Sequence, residues 1–185
     1  MLDPNLVTDF WLNEVGPNGW YVEDAAIDAD IRNRFEAAWD VARSGGYCDW
    51  KLRADTLLPL LILLDQFPRN MFRGNPKAFS TDKMARSAAK KAVDCKWDMR
   101  VPEPERQFFY LPLMHSECLA DQDRCVRLIK SRMPLFCDVL LPHAKAHRDV
   151  IRKFGRFPYR NKALDRCNTV PEAGFLDQGG YSAAI

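Results

Sequence analysis

Apolar residues along this chain recur at the spacing of helices, not of strands. Residues 4–14 place Leu6, Val7 and Phe10 on one side, and the turn-forming run Val15-Gly16-Pro17-Asn18-Gly19 closes that segment. Asp28 is suited to cap a helix over 29–44, in which Ile31, Phe35, Ala38, Trp39 and Ala42 form the apolar stripe and Gly45-Gly46 the stop. Residues 54–67 are apolar on every side through Leu57, Leu58 and Leu60 to Leu64, the mark of a buried central helix, with Pro68 as its expected end. A fourth helix is expected from Thr81 or Asp82 to Asp94, and a fifth over 105–120, apolar all round in its middle and kinked at Pro112. Helices over 121–132 and 134–154 follow, the second stopped by Gly155. Thr169-Val170-Pro171-Glu172 has the form of a capping box that opens a short last helix.

No segment keeps a period of two and no two-residue hairpin turn occurs, so the expected class is all-α. Two all-apolar helices among amphipathic ones predict stacked antiparallel helical hairpins, with a right-handed, tetratricopeptide-like superhelix as one such arrangement. A length of 185 residues predicts a single all-helical domain over 1–185.

Charge narrows the function classes. With 27 Lys and Arg against 25 Asp and Glu, the net charge of +2 gives no basic arm for nucleic acid and no basic patch for a membrane surface. The apolar run from Leu57 to Leu64 is far shorter than a membrane span. The first fifteen residues hold three acids and no Lys or Arg, against a secretory or mitochondrial signal. Six cysteines, at 48, 95, 118, 125, 137 and 167, show no zinc-knuckle spacing; they read as free thiols of a reducing, cytoplasmic compartment. Gly-rich phosphate loops are absent, and no cofactor or metal is expected.

Two echoes occur within the chain. Asp-Gln stands at 65, 121 and 177, spaced by 56 residues each time; unmatched flanks favour coincidence. Phe67-Pro68-Arg69-Asn70 is answered by Phe157-Pro158-Tyr159-Arg160-Asn161, each after a long apolar helix. The run from Leu63 to Gly74, the run from Phe108 to Glu117 and the run from Phe154 to Asn161 resemble, in order, the signature of domain-of-unknown-function family 924, a bacterial family. The similarity spans nearly the whole chain, from Phe10-Trp11 to Phe175-Leu176. It implies a tetratricopeptide-like helical fold and carries no activity with it. Tyr159 stands where the family usually has His, which puts in doubt any role built on that His.

The chemistry available in these motifs is arginine, histidine and carboxylate. His143 and His147 are one turn apart but have no intervening acid as in HExxH, which favours a hydrogen-bonded core histidine over a metal site. Glu117, next to an apolar segment, needs a cation, with Arg69, Arg160 or Arg148 the expected partner; Asp121, one turn on, is expected on the same face. Two readings follow. In the first, Asp65, Arg69, Asn70, Arg148, Arg156, Arg160 and Asn161 line a pocket for a small anionic metabolite or a peptide carboxylate, with His115, Glu117 and His147 as candidate catalytic groups. In the second, the same residues form a buried structural network in a non-catalytic interaction scaffold. Oligomeric state is not legible.

Overall fold

A computed structural model of the protein describes residues 2–181. It is all-α: every regular element among those residues is helical. The chain divides into two compact units, Met1–Arg100 and Val101–Ile185.

In the first unit, α1 (Pro4–Thr8) is capped by Asp3 and runs on as a π-helical stretch, Asp9–Val15, to Gly16, whose φ of +64° takes it out of the helix. Helix α2 (Ala25–Arg43) starts a turn earlier than expected, because Asp24 supplies the cap through bonds from the Ala26 and Ile27 amides. Asp28 is thereby released, and its carboxylate accepts from Asn70 and Arg73 at 2.8 and 2.9 Å. Helix α3 (Ala54–Leu61) is buried all round from Leu57 and continues through π-helical Ile62–Gln66 into Phe67–Met71. Pro68 does not end it. Pro68 has no N–H for the Leu64 carbonyl one turn back. The Thr81 hydroxyl donates to that carbonyl instead, at 2.6 Å, and accepts from the Trp39 indole at 3.3 Å. Helix α4 (Asp82–Asp94) follows with a buried Ala face. The core joins Phe10, Phe35 and Phe67, whose ring centroids lie 4.7–5.9 Å apart, to Leu57, Leu61 and Leu64.

The second unit opens on a 3-10 segment, Glu105–Phe109, then α5 (Leu111–Met114), α6 (Leu119–Arg132), α7 (Cys137–Phe154) and α8 (Val170–Asp177). The single helix expected over 105–120 is thus broken at His115. Its loose carbonyls explain how: the buried Gln122 amide donates to those of Met114 and Ser116, while the Ser116 hydroxyl bonds Asp121 at 2.9 Å and accepts from the Cys118 amide at 3.2 Å. A side chain 56 residues from Gln66 in the sequence echo therefore stabilises a non-helical corner. The next helix starts at Cys137, not 134, because the Glu103 carboxylate takes up the Leu135 and Phe136 amides. Asp123, early in α6, meets Arg152, late in α7, at 3.1 Å, so these two helices run antiparallel. Gly155 ends α7 at φ +72°, and the capping box on α8 forms in full. Phe108 and Leu111 are buried in this unit. No helix among the described residues is long and apolar enough to cross a membrane.

Candidate functional site

The residues singled out by sequence fall into separate groups. In the first unit, Asp65 is 1% exposed and accepts from its neighbour Gln66 and from Arg69 at 3.1 Å. The same Arg69 nitrogen reaches Asp82, at the start of α4, at 2.8 Å. Arg69 therefore ties the end of the central helix to the next one. Asn70, also buried, holds Asp28 of α2.

The second unit holds three arrangements. Glu117 is paired with Arg166, two N–H donors to two oxygens at 3.0 and 3.1 Å, and also accepts from the Phe157 amide at 2.9 Å. Burial works to raise this carboxyl, and Arg166 with the Phe157 amide outweighs it, so Glu117 stays below the usual carboxylate range. Arg166 was missed by sequence reading. The chain folds back after the Phe-Pro string, with the Asn161 carbonyl accepting from the Leu164 and Arg166 amides and Asp165 at φ +53°, and nothing in the local pattern announces that turn. Glu117 and Asp121 also part company: with the helix broken between them, Asp121 bonds Ser116. The second arrangement is Arg156 on Glu172, again two-pronged at 2.6 and 2.8 Å, with the Thr169 amide on the same carboxylate at 2.7 Å. Arg156 first, and then that amide, hold Glu172 at about 2. Arg148 lies along α7 against Asp149 at 3.2 Å and Asp123 at 4.0 Å.

The third arrangement gathers the histidines. The His147 and His115 ring centroids are 6.4 Å apart, and His147 packs against Tyr181 at 4.4 Å and edge-on to Phe157 at 5.5 Å. The His147 Nδ1 lies 2.9 Å from the His143 carbonyl, so the proton sits on Nδ1 and Nε2 keeps its lone pair. Burial pushes His147 down to about 3, with that carbonyl opposing and the charges of His115, Arg160 and His143 adding to the fall. His147 is therefore a neutral acceptor at neutral pH. His143 Nδ1 is 2.6 Å from the Tyr181 hydroxyl, whose own value burial raises. Arg160, 5% exposed, donates to the His115 carbonyl at 2.9 Å and lies 4.6 Å over the Phe157 ring; Asn161 bonds Asn168 at 2.7 Å. Tyr159, in the position of the family's His, is 43% exposed. No cluster of three metal-ligating groups occurs among the described residues. Cys118 is exposed, whereas Cys125 is buried and its thiol is raised by burial.

The family model described as a bacterial protein of unknown function (DUF924) matches residues 7–180. A solved structure of a protein of unknown function from Agrobacterium tumefaciens, ATU0120, superposes with a TM-score of 0.88 at 39% identity, covering 95% of this chain and 97% of that one. A comparison with curated proteins finds no match.

Proposed function

The chain belongs to the bacterial family DUF924, and from that premise we propose that it is a non-catalytic helical binding scaffold whose motif arginines are structural clamps. One observation carries the reading: Arg69, Arg156 and Arg166 are each already on a carboxylate, two of them with both oxygens taken. An anion site needs guanidinium donors that a ligand can reach without displacing such a partner. Cytoplasmic location belongs to the same reading.

A second reading is supported by the gathering of Arg160 with His115, His147 and Tyr181 in one unit. There a small anionic metabolite or peptide carboxylate would meet a buried guanidinium, with His115 as the proton carrier. Thermal unfolding of the full chain in phosphate, citrate and acetate separates the two. The scaffold reading expects no saturable rise in midpoint. A saturable rise that Arg160→Lys abolishes would overturn it in favour of the anion site.

A further inference from the structure

Helix α7 carries two apolar stripes. Leu140, Ala144 and Ile151 turn into the core of their own unit. The other stripe, Pro142, Ala146, Val150 and Phe154, runs four residues apart along the helix and forms the floor of a groove of about 440 Å³. Phe175 of α8 makes the far wall, its ring 5.1 Å from that of Phe154. That volume lies in the range of small-molecule sites, and the twelve helical rises from Pro142 to Phe154 make the floor about 18 Å long, a slot rather than a bowl.

The rim is a row of three charges, Lys145, Asp149 and Lys153. Asp149 is already answered by Arg148 at 3.2 Å and Arg152 at 3.7 Å. Lys145 and Lys153 make no ion pair among the described residues. The Lys153 ammonium hangs 5.0 and 6.0 Å over the Phe154 and Phe175 rings, at the end of the apolar floor. The groove thus joins a long apolar track to two ammonium groups that pair with no acid among the described residues.

We infer that this groove binds a single-chain aliphatic carboxylate of medium length. The chain lies along Ala146 and Val150 up to the paired Phe154 and Phe175 rings, and the carboxylate meets Lys145 or Lys153. An ammonium is a point charge on a flexible stem, so it needs no particular geometry from the head group. The apolar track selects the tail, and the charge selects an acid over an alcohol of equal length. This goes beyond the scaffold reading and uses none of the clamp arginines.

Calorimetric titration of the full chain with sodium decanoate, below its micellar concentration, tests the site. One saturable equivalent is expected. Lys145→Gln combined with Lys153→Gln, both on the exposed rim and checked for unchanged circular dichroism, should weaken binding at least 10-fold. 1-Decanol should bind at least 10-fold more weakly than decanoate, and acetate should not compete. Absence of saturable binding, unchanged affinity in the double variant, or decanol binding as tightly as decanoate would each overturn the inference.

Discussion

The two units solve one problem, an acid at the end of an apolar segment, in different ways. In the first unit, acid and base stand four residues apart on one continuous helical run, and Asp65 and Arg69 pair across a single turn with Asp65 1% exposed. In the second, the corresponding strings are far apart in sequence. Glu117 sits in a corner between helices, takes Arg166 from 49 residues away, and keeps 26% of its side chain exposed. A pair written into one helix needs no distant segment to bring its partners together, because helical spacing alone sets them within reach. The Glu117–Arg166 pair, assembled across a fold-back turn, stays nearer to water, where each charge is less dependent on the other.

The sharpest test of that contrast is to remove the base from each pair. Arg69→Ala takes the Arg69 cation from the buried Asp65 carboxylate, which keeps the Gln66 amide, and should cost about 3–5 kcal/mol in equilibrium urea unfolding. Arg166→Ala leaves Glu117 with the Phe157 amide and with water, and should cost about 1 kcal/mol or less. Equal losses would mean that the units do not differ in the way their exposures indicate.

The next effect belongs to the second unit's histidines. His147 is held at about 3 in the folded chain against an ordinary 6.5. Between those values the unfolded chain takes up a proton that the folded chain refuses, so stability falls as pH drops through the window. The slope should approach about 1.4 kcal/mol per pH unit for one proton. His147→Gln should flatten that part of the stability profile. An unchanged profile would place the proton uptake elsewhere. Smallest is the cap on α8: Thr169→Ala removes one half of the box and should cost about 1 kcal/mol, seen as earlier hydrogen exchange at the Glu172 amide than in the rest of the second unit.

Much of this molecule was determined by its sequence alone. The all-α class, the buried run from Leu57 to Leu64, the stop at Gly155 and the Thr169–Glu172 box all depend on residues within a turn or two of one another, where periodicity and capping chemistry act directly. The family was legible too, in three ordered strings. Tertiary structure alone decided the rest. Pro68 stays inside a helical run because Thr81, thirteen residues on, serves the carbonyl it leaves open. The helix expected over 105–120 breaks because the Gln122 amide serves the Met114 and Ser116 carbonyls and the Ser116 hydroxyl takes the Cys118 N–H in a corner. Arg166, not Arg69 or Arg148, bonds Glu117 because a turn through Asn161 and Asp165 brings it back, with the charge of Arg160 a lesser contribution. A side chain's local neighbours are fixed by helical geometry, whereas which distant donor reaches a buried acceptor depends on how the chain returns, and no short stretch of sequence encodes that return.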